Sequence, residues 1–480
     1  MQIDFYLILP EIALAVLGLM LLVFGLIVPK SSRQGFGWFT ALYLMVVLGM
    51  EISGWKTPAD TANGIFLCDN FAMFFKITCL TAAILVVLGS MRFVDQQIGK
   101  QSEYYSILTF ATLGMCVMAS AGDFITLYLG LELMSISFII LVCFRRSEAK
   151  SVESGVKYLL LASISSAILL YGISLIYGVC GSFLFTDILV KVTELGGLTG
   201  SPVLILGLAM LLAGFGFKVS LVPFHMWTPD VYEGAPTPIT SFLAVGSKAA
   251  SLVIVIRVFL EAFGGMTESW TLLIAILAAI TMVVGNLVAI PQTNIKRMLA
   301  FSSIAQAGYM LVGLVAASEA GIKGMMFYAF LYVFATVGAF TVAAMVYNKI
   351  GSDEIKDYAG LAQRSPLMAA TMLIMLLSMA GIPPLAGFAG KFYLFSSIID
   401  NYLWLAFVGM IISMISVYYY LRVVLVMYRD NPPEGSENIK LPSAVALTLV
   451  IVIVATVFMG VYPGPIAEVV NTAAHSFFFF

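Results

Sequence analysis

The sequence has little charge, few cysteines and almost no histidine. Only 10% of its 480 residues are charged, and it contains 5 cysteines and 2 histidines. The cysteines stand singly, without the C-x-x-C spacing of iron–sulfur or zinc sites. His225 and His475 leave no pair of axial ligands for a bis-histidine haem. Strand patterns, and with them a dinucleotide-binding G-x-G-x-x-G after a strand, are missing too. We therefore expect no metal site, no bound cofactor and no redox chemistry in this chain.

Hydrophobic residues make up 61% of the chain, and the mean hydropathy is +1.03. About fourteen apolar runs reach the length of about 20 residues that a helix needs to cross a ~30 Å hydrocarbon core. The polar connections between them are short. This composition predicts an all-α polytopic membrane protein that forms a single helical bundle. The runs lie near residues 7–28, 37–54, 68–90, 105–121, 124–143, 158–180, 202–227, 236–262, 270–290, 298–317, 322–347, 366–399, 402–428 and 442–462.

Lysine and arginine are unevenly distributed between the connections, which predicts the orientation of the chain. When the connections are assigned alternately to two sides, one side holds fourteen basic residues and the other holds three. The first side should face the cytoplasm, so both termini are expected on the outer, periplasmic side of a bacterial inner membrane. Asp4 and Glu11 precede or begin the first apolar run in place of the basic residues of a signal peptide, so we expect no cleaved signal peptide. The fourteen are Lys30, Arg33, Arg92, Lys100, Arg145, Arg146, Lys150, Lys296, Arg297, Lys349, Lys356, Arg364, Arg429 and Lys440; the three are Lys56, Lys191 and Lys323.

The fourteen runs divide into four segments. An N-terminal three-helix segment (1–103) precedes two five-helix units, 104–262 and 270–428, and a C-terminal helix lies in 429–480. Because five is odd, the second unit must have the opposite orientation to the first, as in the inverted repeats of transporters.

The fourth helix of each unit combines glycine and proline with one lysine. Pro383 and Pro384 predict a break in the run 366–399, which at about 1.5 Å per residue would otherwise be far longer than the bilayer core. Gly214, Gly216 and Pro223 predict a similar break around Lys218. Unwound backbone at membrane depth must be satisfied by protein or water. The alternative is that these prolines merely kink packed helices.

Lys218, Lys248 and Lys391 lie inside apolar stretches. A charged side chain at the centre of a membrane helix costs roughly 2.5–3.5 kcal/mol, so three cost on the order of 8–10 kcal/mol. Burial disfavours the charged form of a lysine, and a nearby carboxylate such as Glu132 favours it. We therefore predict a proton relay in which a Glu132–Lys218 pair opens and closes. The alternative is a static structural ion pair.

Other polar residues support less specific interpretations. Lys157 stands near the cytoplasmic face, one turn inside its span, and His225 is either a relay residue or a hydrogen-bonded loop residue. Asp230 and Glu233 are interpreted as turn or cap residues. Three in-span cations near helix ends are expected to snorkel to the interface: Lys76, Arg257 and Arg422. Four hydroxyl residues could hold water but more simply bond backbone carbonyls: Ser220, Thr240, Ser247 and Ser251.

The run FGFKVSLVPFHMWTPDVYEGAPTPIT (215–240) resembles the proton-translocating membrane subunits of complex I and their relatives in multisubunit cation/proton antiporters. Glu132, AVGSKAAS around Lys248, and GIPPLAGFAGKFYLF around Lys391 resemble them too. The likeness extends over all fourteen runs. Within this family the sequence resembles the subunit N branch of bacterial NADH:quinone oxidoreductases. Two features carry this likeness: lysine at position 391 and an ending soon after the last run.

This resemblance implies an antiporter-like fold with two inverted five-helix units. It implies that Glu132 pairs with Lys218, that Lys248 is the central proton site and Lys391 the terminal one, and that Lys157 lies near the entrance. It further implies that other subunits of the complex, including further antiporter-like subunits, are partners and that they handle quinone and NADH. Three other functions stay open: a subunit of a multisubunit Na⁺/H⁺ antiporter, a stand-alone secondary transporter, and a structural scaffold.

Overall fold

A computed structural model describes residues 4–29, 35–55, 59–61, 63–197, 200–433, 435 and 437–479. The N-terminal segment contains α1 (Leu9–Ile27), α2 (Gly35–Ser53), β1 (Ala59–Thr61), β2 (Phe66–Cys68) and α3 (Asn70–Phe93). The expectation that the chain has no strands was wrong, because β1 and β2 pair as an antiparallel hairpin. Strands of three residues are too short to produce a recognisable alternating pattern.

The first half of the remaining chain contains α4 (Gln101–Ala119), α5 (Phe124–Val142), α6 (Ala149–Cys180), α7 (Phe185–Glu194), α8 (Pro202–Val219), α9 (Trp227–Gly234), α10 (Thr237–Phe242) and α11 (Lys248–Arg257). A π-helical turn, Leu243–Ser247, joins α10 to α11, and a second, Val258–Ala262, follows α11. The second half contains α12 (Thr267–Ala289), α13 (Ile295–Val315), α14 (Glu319–Ile350), α15 (Leu361–Arg364), α16 (Pro366–Ala380), α17 (Ala386–Ser396), α18 (Leu403–Arg429), α19 (Ser443–Val461) and α20 (Gly464–Phe479).

Within the described residues, twelve helical segments are long and apolar enough to cross a membrane. The 19-residue α4 and the interrupted pair α16 and α17 occupy the places of the two remaining predicted spans. The prediction of an all-α polytopic membrane protein is therefore confirmed. The C-terminal part holds two helices, α19 and α20, where the sequence indicated one. Lys30, Arg33 and Lys56, used to predict orientation, lie outside the described residues.

Two helix starts repeat the same local structure. Asp123 caps α5 and Asn294 caps α13, each accepting hydrogen bonds from backbone N–H groups of the first turn. Each cap residue also forms an isolated antiparallel bridge, Asp123 with Leu184 and Asn294 with Glu354. The caps are 171 positions apart (294 − 123), and the bridge partners are 170 apart (354 − 184). This near-constant offset matches the second five-helix unit to the first.

The segments that supply the bridge partners also match. Both follow a 32-residue helix that ends at a left-handed glycine, α6 at Gly181 and α14 at Gly351. The next residue in each case is a serine whose hydroxyl donates to an aspartate five positions on, at 2.7 Å from Ser182 and 2.5 Å from Ser352. Because α5 and α13 are five spans apart, these two copies lie at opposite faces of the bundle.

The predicted break in the fourth helix of the second unit is confirmed. The helix α16 ends at Ala380, Gly381 takes a left-handed conformation with φ 86°, and α17 begins at Ala386. Pro383 and Pro384 lie in the interruption and supply no backbone N–H. The carbonyl groups at the end of α16 are therefore free to accept side-chain donors.

The first unit is broken after its lysine rather than around it. Gly214 and Gly216 lie within an intact α8, which runs to Val219 before Ser220 takes a left-handed φ of 68°. A Cβ on Gly214 would approach the Leu169 side chain of α6 to 2.7 Å, so this glycine permits close helix packing rather than unwinding.

The most enclosed helices form the centre of the bundle. In the membrane-spanning windows of α10–α11, α13 and α14, between 94% and 100% of residues are buried, whereas 33% are buried in α18. Side chains on α11 and α13 are therefore shielded from lipid on all sides.

Candidate functional site

Lys218 is the penultimate residue of α8. Its side chain is only 2% exposed, and its Nζ donates a hydrogen bond of 2.7 Å to Ser135 Oγ on α5. Glu132 lies one turn before Ser135 and accepts a hydrogen bond from Ser166 of α6. Lys218 and Glu132 therefore each bind a hydroxyl group rather than each other in this conformation. The Ser135 and Ser166 hydroxyls occupy the places that the sequence assigned to a direct ion pair.

Lys248 begins α11, directly after the π-helical turn Leu243–Ser247. Such turns interrupt the regular hydrogen-bond ladder and are frequent at functional sites. The side chain is 2% exposed, and its Nζ donates to both the hydroxyl and the backbone carbonyl of Ser303 on α13. A buried amine in the middle of the bundle is thus held by neutral oxygens.

Lys391 lies on α17, and its side chain reaches back to the interruption before that helix. Its Nζ donates to the carbonyls of Met379 at 2.9 Å and Ala380 at 3.2 Å, and to Ser413 Oγ at 2.7 Å. The Tyr309 ring lies 4.5 Å from the same nitrogen and faces the cation. The end of α16, whose last carbonyls are left free by the prolines that follow, therefore supplies two of the acceptors of this lysine.

Hydrogen-bonded side chains connect the surroundings of Lys248 and Lys391. The Tyr420 hydroxyl lies 2.5 Å from Ser302 Oγ, next to Ser303 in α13. The amide of Gln306 donates to the Tyr420 hydroxyl at 3.4 Å and to the Met379 carbonyl at 3.2 Å. That carbonyl also accepts from Lys391, so Gln306 and Lys391 share one acceptor. Ser302, Tyr420 and Gln306 thus place a row of polar groups, which we call the polar connection, between the two lysines. Lys248 itself binds Ser303, the neighbour of Ser302 in the chain.

This polar connection was not predicted from the sequence. Gln306 is an uncharged amide inside the fully buried helix α13, and such a side chain must find hydrogen-bond partners. Its isolation in an apolar run was a usable signal. The partners could not be predicted, because Tyr420 is 114 residues away in the sequence.

Lys157 belongs to an ion-pair cluster between the two five-helix units. It pairs with Glu153 at 2.8 Å and with Asp230 at 3.1 Å. Arg297 of the second unit pairs with Asp230 at 2.9 Å and with Glu233 at 3.0 Å. Burial would raise the pKa of Asp230, but hydrogen bonds from Arg297 and Lys157 outweigh it and hold that pKa below its usual value. Interpreting Asp230 and Glu233 as turn or cap residues was therefore wrong.

The basic residues near this cluster share one face of the bundle. Arg145, Lys150 and Lys296 line a cleft of 450 Å³ together with Glu148 and Asp353. Lys296 is buried there, and its Nζ donates to the Ala235 carbonyl at 2.8 Å. Helices of both five-helix units therefore meet around a charged cleft, which we call the basic-face cleft.

His225 lies in the turn between α8 and α9 and is 9% exposed. Its Nδ1 has no hydrogen-bond partner within the described part of the chain. Burial lowers the pKa of this histidine below its usual value. A hydrogen bond with the Pro223 backbone partly offsets this lowering, so the hydrogen-bonded loop residue and the relay residue both stay open as interpretations of His225.

The predicted role of hydroxyl residues as backbone partners holds at two positions. Thr240 donates to the Tyr232 carbonyl at 3.0 Å, and Ser251 donates to the Ser247 carbonyl at 2.7 Å.

Among the residues that the structure describes, no three histidine, cysteine, aspartate or glutamate side chains group as metal ligands would.

The expectation that Lys76 and Arg257 snorkel was wrong. Both are only 1% exposed and bind carboxylates inside the bundle. Arg257 donates to both oxygens of Asp69 at 2.8 and 2.9 Å and to Glu261 at 2.5 Å. Both cations lie near helix ends, as the sequence indicated. Other helices cover those ends, α1 and α2 at Lys76 and α3 and α20 at Arg257, so the side chains do not extend to the membrane interface.

The sequence and the fold are similar to those of known membrane proteins. A family profile described as NADH:quinone oxidoreductase/Mrp antiporter, transmembrane, matches residues 121–416. NADH-quinone oxidoreductase subunit N of Desulforamulus reducens is 63% identical over 99% of both chains. The chain belongs to the subunit N family of NADH-quinone oxidoreductases. The subunit N relative from Heliobacterium modesticaldum is 51% identical over 99% of this chain and 100% of its own.

Solved structures extend the likeness of this subunit N family member to three dimensions. A chain of respiratory complex I from Thermus thermophilus is 30% identical, with a TM-score of 0.80 over 96% of this chain and 99% of that chain. A chain of the Mrp complex from Dietzia sp. has a TM-score of 0.87 over 98% and 97% of the two chains. At 20% identity the Mrp likeness supports a shared fold alone.

Proposed function

We propose that this chain is a proton-translocating membrane-arm subunit of a respiratory NADH:quinone oxidoreductase, and that Lys218, Lys248 and Lys391 carry the protons. NADH and quinone are handled by other subunits of the complex. Those subunits hold the redox centres that drive proton movement. Further antiporter-like subunits and the lipid bilayer surround this chain, which lies in the bacterial inner membrane with both termini on the periplasmic side. The subunit N relatives and the fold shared with complex I support this assignment.

The observation that carries the proposal is the polar connection, a row of polar side chains between Lys248 and Lys391. Lys248 donates to Ser303, and the adjacent Ser302 contacts Tyr420. Gln306 donates to Tyr420 and to the Met379 carbonyl, which Lys391 also binds. Each hydroxyl in it both donates and accepts, so it can take a proton from one neighbour while releasing its own to the next. Water completes the path where side chains do not touch. The helix α13, whose membrane-spanning window is entirely buried, supplies Ser302, Ser303 and Gln306 and excludes lipid from the path.

The lysines suit transfer because their partners are neutral. Lys218 binds Ser135, and Lys391 binds Ser413 and two carbonyls. A lysine held by neutral acceptors gives up its proton more easily than one paired with a carboxylate. Glu132, bound to Ser166 in this conformation, modulates that tendency when its carboxylate approaches Lys218. Movement of Glu132 between Ser166 and Lys218 therefore switches the first lysine between holding and releasing its proton.

Lys218→Ala is expected to lower coupled quinone reduction and proton pumping by the assembled complex together, by about tenfold, which corresponds to about 1.4 kcal/mol in the limiting barrier. Assembly should be intact, because Lys218 binds a single hydroxyl. Proton uptake and quinone reduction in vesicles measure both quantities. Lys323→Ala is the control, since Lys323 is partly exposed and pairs with Glu319 one turn away on its own helix. A normal ratio of protons to electrons in Lys218→Ala would end the relay proposal for this residue.

Tyr420→Phe tests the connection between Lys248 and Lys391. Loss of one hydroxyl removes the bond to Ser302 and an acceptor for Gln306, so pumping should fall several-fold. Tyr402→Phe is a matched control, because the Tyr402 hydroxyl, just before the same helix α18, donates to Thr271 Oγ1 at 2.9 Å. Both variants lose one side-chain hydrogen bond, at about 1–3 kcal/mol of stability. Equal pumping by the two variants at equal assembly would show that Tyr420 carries no protons.

A further inference from the structure

A second group of buried charges lies in the N-terminal segment, away from the three relay lysines. Lys76 of α3 contacts Glu11 of α1 at 2.6 Å and Glu51 of α2 at 3.5 Å, measured from Nζ to Oε1. The side chains are 1%, 4% and 4% exposed. Two carboxylates and one ammonium therefore meet at the junction of three helices. The proposed proton relay makes no use of them.

The formal charges of this triad do not cancel. If all three groups are ionised, the sum is −1, enclosed by apolar side chains. The Phe66 ring lies 5.1 Å from the Lys76 nitrogen. An uncompensated charge at such a site costs several kcal/mol, and protein groups neutralise by taking up a proton instead.

Among the described residues, the elements packed against the triad place no second cation in contact with it. The titratable groups that face the triad from β2 and α4 are the thiols of Cys68 and Cys116. Asp69, at the start of α3, adds negative charge but is bound by Arg257 through two hydrogen bonds. Within the described residues, neutrality of the triad therefore depends on a proton.

The geometry indicates which carboxylate holds that proton. Glu11 is in hydrogen-bonding range of Lys76, whereas the Glu51 oxygen is 0.9 Å farther away (3.5 − 2.6). Within the described residues, Glu11 Oε1, Glu11 Oε2 and Glu51 Oε1 are all buried and have no partner with hydrogen-bond geometry, so the two distances to Lys76 are what distinguish the carboxylates. The ammonium stabilises the more distant carboxylate less. Protonation of that carboxylate therefore sacrifices less electrostatic stabilisation.

We propose that the N-terminal segment is a binding site for one H⁺, held between Glu11 and Glu51 and mainly on Glu51, which makes the triad electrically neutral. An alkali cation is disfavoured there, because the Lys76 ammonium already occupies the space between the carboxylates and repels a second positive ion. The site is separate from Lys218, Lys248 and Lys391 and does not depend on their role.

Infrared spectroscopy of the full chain in lipid nanodiscs tests the site. A buried protonated carboxyl gives a C=O stretch above the carboxylate bands, with a small shift in D₂O. At pH 7 the wild-type chain should show such a band, and Glu51→Gln should remove most of it. Glu268→Gln is the control, since Glu268 is exposed, and should leave the band unchanged. Absence of the band from the wild type, or its persistence in both Glu51→Gln and Glu11→Gln, would overturn the proposal.

Lys76→Met gives a second, quantitative test. Without the ammonium both carboxylates must be neutral, so the band should grow about twofold relative to the wild type. An unchanged band in folded Lys76→Met would contradict the proposal. Spectra in sodium and choline buffers separate the two ions, because loss of the band in sodium alone would assign the site to Na⁺. Glu51→Gln should fold, since glutamine resembles the protonated acid, and this keeps the test valid if Lys76→Met does not fold.

Discussion

Lys391→Met should lower proton pumping and coupled quinone reduction by the assembled complex to about a tenth of wild type or less, a change of about 1.4 kcal/mol in the limiting barrier. Methionine keeps much of the side-chain volume but cannot carry a proton. The Met379 and Ala380 carbonyls lose a donor, although Met379 still accepts from Gln306. Proton uptake by vesicles during quinone reduction measures the effect.

Lys391→Arg separates charge from proton transfer. Arginine retains the cation near the carbonyls and the Tyr309 ring, so the variant should assemble and be milder than Lys391→Met. It does not release a proton under physiological conditions, so pumping should still be reduced. Wild-type pumping in Lys391→Met would show that the proton leaves the chain without this lysine.

Arg257→Met is expected to destabilise the chain by about 3–5 kcal/mol, because removal of one partner leaves buried charges unpaired. Asp69 and Glu261 both lose their cation, and the Ala119 carbonyl loses a donor at 3.4 Å. The two rings packed around the guanidinium, Phe71 and Phe477, also lose a contact. Denaturant unfolding of the detergent-solubilised chain measures the difference.

Arg297→Met is the matched control for this experiment. Arg297 also binds two carboxylates, but it is 33% exposed at the surface. Exposed ion pairs contribute about 1 kcal/mol or less. If the two variants are equally stable, enclosure of the Arg257 cluster contributes nothing to the fold.

Much of the fold could be predicted from the sequence, since apolar length alone defines a membrane span. The broken helix at Pro383 and Pro384 was predictable for the same reason, because proline cannot continue the hydrogen-bond ladder. The short hairpin and α20 were not, since three-residue strands and a terminal helix outside the apolar runs leave little pattern in the sequence.

The candidate site was predictable in its lysines but not in their partners. An apolar run reveals that Lys248 is inside a span, but not which way the helix is rotated or which neighbour it faces. Its partner Ser303 is 55 residues away on another helix. The same limit explains the error at Lys76, since proximity to a helix end indicates snorkelling only when no other helix covers that end.

The matching caps of α5 and α13 have a consequence for how the chain acquires its direction in the bilayer. Neither Asp123 nor Asn294 is basic, and each satisfies the same backbone groups by the same bonds, one at each face. The caps themselves can therefore form in either aqueous compartment, whereas Lys296 and Arg297, beside the second cap, belong to the basic residues that predict orientation. The orientation in the bilayer is therefore set during insertion by the few lysines and arginines of the connections. The helix caps are compatible with both orientations, and a small number of surface side chains selects one of them.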